Sequence, residues 1–413
     1  MAMATAASLL LAVALLLTSG NADTSGLPTG GGCPASASTV VVPGPRSSPF
    51  GKGAKHGMLY RPLGRTGLRV SAVSYGAWLT VSEKGQVGVE KAVAILREVV
   101  QQGINFIDNA ESYGDFTGES EYILGLALQQ LYSEGLVERS DLVLSTKLWR
   151  GGDGVNDRGL SHKHLFEGLR KSLNRLQTDY VDIVYCHRPD PTTPMEETVR
   201  AMNRLLDRGM ALYWGTSEWR ADEIMQAVGI AQRLGLEGPV VEQPLYNLFN
   251  RQRVEEEYLS LYSSMGLELT VYSPLAEGIL AGRYNSEAAS PPEGSRAATI
   301  ARKKNLATRT GQIQAAQALV PLAQEANCSL SQFVLAWTLR HERVSTAIMG
   351  ASRPEQVRDN AGAIACLRNL QTSASAAAWA SDIEAAAGSA VEANSVDAMV
   401  KDNMDWVGRG SFA

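Results

Sequence analysis

Four polar side chains fall at or just past the ends of three short apolar runs. Asp108 follows Ile104-Asn105-Phe106-Ile107, and Lys147 follows Leu142-Val143-Leu144-Ser145-Thr146. His187 follows Val181-Asp182-Ile183-Val184-Tyr185-Cys186, and Tyr113 lies five residues beyond Asp108. A phenol, an ammonium, a carboxylate and an imidazole held together work as one proton donor. Alone, a tyrosine hydroxyl titrates near pH ~10 and is a poor acid at neutrality. A neighbouring ammonium such as Lys147 favours the phenolate and makes the proton easier to release. Asp108 would hold Lys147 charged and oriented, and His187 would place a carbonyl or relay a proton. Reducing a carbonyl is a reaction that needs such an acid, to protonate the oxygen as a hydride reaches the carbon. Each residue also has a bland explanation: a capping aspartate, a surface tyrosine, a solvated lysine, a loop-closing histidine. Their joint position at strand ends is what argues for chemistry.

Those four residues need a frame that gathers strand ends at one place. Short apolar strands are expected at 72–76, 105–108, 142–146, 181–186, 211–215, 240–242, 267–272 and 345–349. Amphipathic helices fill the gaps; Leu165, Leu169, Leu173 and Leu176 recur at helical spacing after Ser161, a suitable N-cap. Eight strands with helical crossovers imply an α/β fold, a parallel (β/α)8 TIM barrel, whose active sites sit at the C-terminal mouth. An open doubly wound sheet would announce a dinucleotide site by GxGxxG after a strand; Gly151-Gly152-Asp153-Gly154 has the wrong spacing. Ahead of the barrel, Leu59–Gly64 and Leu68–Ser71 flank Arg65-Thr66-Gly67 and read as a hairpin. The expected organisation is a leader over 1–57, the barrel over 58–372, and a C-terminal helix (376–390, Ala-rich) with a tail over 373–413.

The bulk numbers agree with one large enzyme domain. The chain has 413 residues with 45% hydrophobic content, and a single barrel can use about 250 residues or more. A net charge of −5 and the lack of any basic stripe exclude a nucleic-acid-binding surface. Cys33, Cys186, Cys328 and Cys366 show no CxxC spacing, so neither a disulfide framework nor a zinc site is readable, and Cys186 reads as a small buried strand residue. No metal is expected. The apolar run Ser8–Leu17, followed by small residues, is too short for a membrane span. It reads as a cleaved signal or organelle transit peptide, with the compartment open and an uncleaved cytoplasmic leader as the alternative. Asn327-Cys328-Ser329 is a formal glycosylation sequon.

With these residues in view, the chain resembles the aldo-keto reductase superfamily from about residue 59 to 370. The resemblance is carried by Gly76-Ala77-Trp78, Asp108-Asn109-Ala110-Glu111-Ser112-Tyr113, Ser145-Thr146-Lys147 and Tyr213-Trp214-Gly215-Thr216-Ser217-Glu218-Trp219. Arg188-Pro189-Asp190-Pro191, then Thr193-Pro194-Met195-Glu196-Glu197-Thr198, is similar to the plant-type β subunits of voltage-gated potassium channels. The resemblance implies NADP(H) as cofactor, a small carbonyl substrate, a homotetramer and a potassium channel as partner. It places the nicotinamide on Ser217, Gln243 and Tyr272 beside Trp78, and the pyrophosphate on Ser273, Pro274, Leu275, Ala276 and Gly278 with Arg283 and Arg296. The adenosine end falls on Gly350, Ser352, Arg353, Gln356, Asp359 and Asn360, with Ser352 and Arg353 for the 2′-phosphate. His187 stands where animal channel β subunits commonly carry asparagine, which restores a reductase-type tetrad. The loop Gly114-Asp115-Phe116-Thr117-Gly118-Glu119 is longer and more acidic than usual and borders the substrate side.

Overall fold

Among the described residues the hairpin is the first element, and it sets the floor of the barrel. A computed structural model describes residues 48–51, 56–78, 88–284, 308–372 and 379–387; most of the expected leader and Arg296 lie outside the described residues. Strand β1 (Tyr60–Pro62) pairs antiparallel with β2 (Arg69–Ser71). Leu63 and Val70 are fully buried and pack on Phe106, Val143, Ile183 and Val241. Gly64, at φ +55°, brings the turn so close to the barrel that a Cβ would stand 2.0 Å from the Val240 carbonyl oxygen. No other residue fits there. Arg61 fastens the hairpin further, donating to the carbonyls of Val344 and Leu339 at 2.6 and 2.8 Å.

Eight parallel strands then close into a barrel: β3 (Val73–Gly76), β4 (Phe106–Asp108), β5 (Val143–Leu148), β6 (Val181–Cys186), β7 (Ala211–Ser217), β8 (Val241–Gln243), β9 (Glu268–Tyr272) and β10 (Val344–Met349). β10 pairs with β3 and completes the (β/α)8 TIM barrel. All eight expected strands are present. The largest departures are at the C-terminal ends, where β5 runs to Leu148 and β7 to Ser217. The ladder continues there through Lys147↔Tyr185 and Ser217↔Gln243. Polar side chains at the mouth hide strand residues that an apolar pattern alone would end early.

The helices cover the outside as their apolar spacing requires. In the helix His162–Leu176, Leu165, Leu169, Leu173 and Leu176 are buried, and Ser161 Oγ accepts from His164 N at 3.2 Å. Each such leucine contributes roughly 2 kcal/mol of burial. The C-terminal helix runs Trp379–Ala387 and inserts Trp379, Ile383 and Ala387 into the core; the rest of the expected 376–390 helix lies outside the described residues. No described helix is long and apolar enough to cross a membrane.

The cysteine reading needs correction. Cys328 and Cys366 form a disulfide, with Cα atoms 6.0 Å apart. They are 38 residues apart, and only the packing of helix Leu330–Leu339 on helix Ala363–Thr372 brings them together. Cys186 is buried and unlinked, as expected of a small strand residue.

Candidate active site

Side chains alternate along a strand, so every second residue of β4, β5 and β6 enters the barrel. The hairpin end receives Phe106, Val143 and Ile183, which share one apolar cluster. Two and four residues further on, the same faces turn polar. Ser145 Oγ donates to Asp108 Oδ1 at 2.8 Å, and Gln243 Nε2 donates to that oxygen at 3.1 Å. The Tyr185 and Thr270 hydroxyls share a 3.0 Å hydrogen bond across the interior. An apolar floor and a polar mouth thus follow from strand parity.

Lys147 is the centre of the mouth and is fully buried. Its ammonium donates to Asp108 Oδ2, to the Asn109 carbonyl at 2.9 Å and to the Tyr113 hydroxyl at 3.1 Å. Three donors meet three acceptors, which is all an ammonium can offer. Burial pulls the Lys147 pKa down, and Asp108 acts against that pull. The ammonium also lies 4.8 Å from the centre of the Tyr113 ring. His187, half-buried just past β6, places its ring 5.7 Å from that of Tyr113, nearly perpendicular at 75°. Burial, then Arg188 and Lys147, hold its pKa well below the ordinary 6.5. The imidazole is therefore neutral and offers a hydrogen bond without a charge. The Trp78 ring stands 6.1 Å from Tyr113. All four residues of the expected tetrad meet. Beside them opens a cleft of 340 Å³ lined by Ser112, Phe116, Trp149, Arg150, His187 and Arg188, among others, including residues 114–117 of the acidic loop.

The other expected residues ring this mouth in three groups. Ser217 and Gln243 are buried at the ends of β7 and β8, with Ser217 Oγ donating to the Gln243 carbonyl at 2.9 Å; Tyr272 ends β9 half-buried. After β9 the backbone is held at positive φ at Ser273 (51°), Ala276 (46°), Glu277 (59°) and Gly278 (96°). Non-glycine residues rarely adopt such angles, and clusters of them mark functional loops. Pro274 and Ala276 are buried and Leu275 packs on the core, so this loop offers backbone groups; exposed Arg283 lies along Gly278. After β10, Gly350 and Arg353 are exposed, and Ser352 donates through its N–H and hydroxyl to Gln356 Oε1 at 2.8 and 3.3 Å. Arg353 occupies the N-cap position of the helix Pro354–Ala361, with no side-chain capping bond. Asp359 is engaged elsewhere: it accepts from Ser329 Oγ at 3.1 Å and Gln332 Nε2 at 3.0 Å, tying two helices together, while Asn360 is buried.

The aldo/keto reductase family model matches residues 72–377, from the first barrel strand to the last helix of the barrel and just beyond. The chain belongs to the aldo/keto reductase family. This aldo/keto reductase is 51% identical over 310 residues to a probable voltage-gated potassium channel subunit beta of Oryza sativa subsp. japonica, covering 74% of the chain and 91% of the relative. It is 48% identical, over the same length and shares, to a protein of that name from Arabidopsis thaliana.

Sequence reasoning missed several residues that hold the reductase mouth in shape. Glu111 is buried in the segment carrying Tyr113; it accepts from Trp149 N at 2.7 Å and contacts His164 Nε2 at 3.0 Å. Glu121 accepts from the Thr146 hydroxyl and from Arg175 Nε at 2.7 Å. His164 and Arg175 stand 53 and 54 residues from these carboxylates, and nothing local in the sequence links them. Arg188 was visible only within its Pro-rich run. It donates to the His187 carbonyl at 2.5 Å and to Ser217 Oγ at 3.2 Å, and so enters the mouth.

Proposed function

We propose that the protein reduces aldehydes or ketones to alcohols with NADPH, Tyr113 acting as the acid. The observation that carries this reading is the 3.1 Å contact between the buried Lys147 ammonium and the Tyr113 hydroxyl. As the carbonyl oxygen gains charge, Tyr113 transfers its proton to it and the resulting phenolate is stabilised by Lys147, itself held by Asp108. Neutral His187 donates to the same carbonyl oxygen and orients it. The cofactor fits the donors present: a half-buried Tyr272 ring and the buried polar groups of Ser217 and Gln243 suit a flat carboxamide-bearing ring. Ser273, Pro274, Leu275, Ala276 and Gly278 with Arg283 would hold the pyrophosphate, and Gly350, Ser352, Arg353 and Gln356 the adenosine and its 2′-phosphate. Bound NADPH supplies the hydride.

The test is NADPH oxidation by purified protein with reactive aldehydes. Tyr113→Phe should lose about 10²–10⁴-fold in turnover while fluorescence titration gives an unchanged NADPH affinity. Undiminished turnover would overturn the role of Tyr113, and NADH binding as tight as NADPH would overturn that of Ser352 and Arg353.

A second reading is supported by the names of the rice and Arabidopsis relatives: a tetrameric β subunit that binds NADP(H) and regulates a potassium channel. Co-purification with a channel from native membranes separates it from a free reductase. The Cys328–Cys366 disulfide and the signal- or transit-like leader favour a compartment outside the reducing cytosol, where a cytosolic channel face is out of reach.

A further inference from the structure

Two arginines and two aspartates line the cleft, and among the described residues no ion pair joins one to another. Asp153 on its wall is already paired with Arg158 at 2.7 Å. Asp115 and Arg150 are exposed on the rim. Arg188 lies deeper, half-buried beside His187, and its hydrogen bonds go to neutral oxygens, the His187 carbonyl and Ser217 Oγ. Among the described residues no carboxylate forms an ion pair with it. A guanidinium taken partly out of water without a counter-charge is unfavourable, and its planar fork matches a carboxylate. The cleft is of a size for a small organic molecule, and Phe116 and Trp149 add aromatic surface to its wall.

We propose that Arg188, with Arg150 at the entrance, selects carbonyl substrates that carry a carboxylate: aldehydes or ketones whose acid group pairs with Arg188 while the carbonyl oxygen rests between Tyr113 and His187. This rests on the reductase reading and names its substrate class. The residue is a specificity determinant: it takes no part in the hydride or proton transfer.

The experiment compares 4-carboxybenzaldehyde with its methyl ester, two aldehydes that differ in one negative charge. Wild-type protein should show the higher kcat/KM with the carboxylate. In Arg188→Met the carboxylate-to-ester ratio should fall by about 10–100-fold, the worth of a charge-assisted hydrogen bond. The ratio is read within each variant, so any loss common to both substrates cancels. Arg188→Lys should recover part of the preference, and raised salt should shrink it in wild-type protein. A ratio unmoved by Arg188→Met, or a wild-type preference for the ester, would overturn the assignment. A turnover-free arm keeps the two readings apart: calorimetric binding of 4-(hydroxymethyl)benzoate to NADP-loaded protein. If neither aldehyde is reduced but this ligand binds and Arg188→Met abolishes it, the reductase reading falls and the carboxylate site stands. If aldehydes are reduced and this ligand binds wild type and variant alike, the carboxylate site falls alone.

Discussion

An ammonium moved out of water loses its hydration, and Lys147 regains three hydrogen bonds from fixed oxygens. One of the three is the Tyr113 hydroxyl, so the contact that satisfies the buried charge is also the one on which the proposed proton transfer rests. A second buried ionisable group tells more about stability than catalysis. Glu242 on β8 takes hydrogen bonds from Thr216 and from Trp219 N, and burial, with Glu218 nearby, pushes its pKa up to about 8. The folded protein therefore keeps a proton that the unfolded chain releases above the ordinary carboxylate range. That contribution is full below pH 4.5 and is lost as pH rises through about 8, with a slope of up to about 1.4 kcal/mol per pH unit. Glu242→Gln should flatten the fall in Tm between these limits relative to wild type; parallel profiles would refute it. The tetrad was legible in the sequence because each member is tied to a strand end by counting. Glu111 and His164 were not, since only the folded chain makes them neighbours.

At the level of elements, strand type and order were readable because parallel barrel strands are apolar runs between amphipathic helices. Their mouth ends were less so: Lys147 lies buried within β5, where the apolar pattern of the sequence places it just outside. The helix pair around Cys328 and Cys366 carried no signal at all. Its disulfide links the start of helix Leu330–Leu339 to helix Ala363–Thr372, and Ser329 and Gln332 beside it also hold Asp359. Closing a loop of this length stabilises a fold by about 2–4 kcal/mol. Cys366→Ala, or reduction of wild-type protein, should lower Tm by several degrees in a thermal scan. No change on adding reductant would mean that the bond is not formed in solution.

For the whole molecule the hairpin has the widest effect. Leu63 and Val70 fill the barrel's lower end, and Gly64 and Arg61 fix them there. The residues assigned to the nicotinamide, Ser217 and Gln243, are buried at the bottom of the mouth, whereas Phe116 on the cleft wall is 66% exposed. On the proposed reading, cofactor and carbonyl share this one mouth, and the deeper guest is expected to enter first. Steady-state kinetics should show NADP⁺ competing with NADPH but not with the aldehyde, and excess aldehyde slowing turnover by occupying the exit of the spent cofactor. A pattern of random entry would contradict this. A plug at one end of a barrel, built from two three-residue strands, would on that reading set a queue at the other.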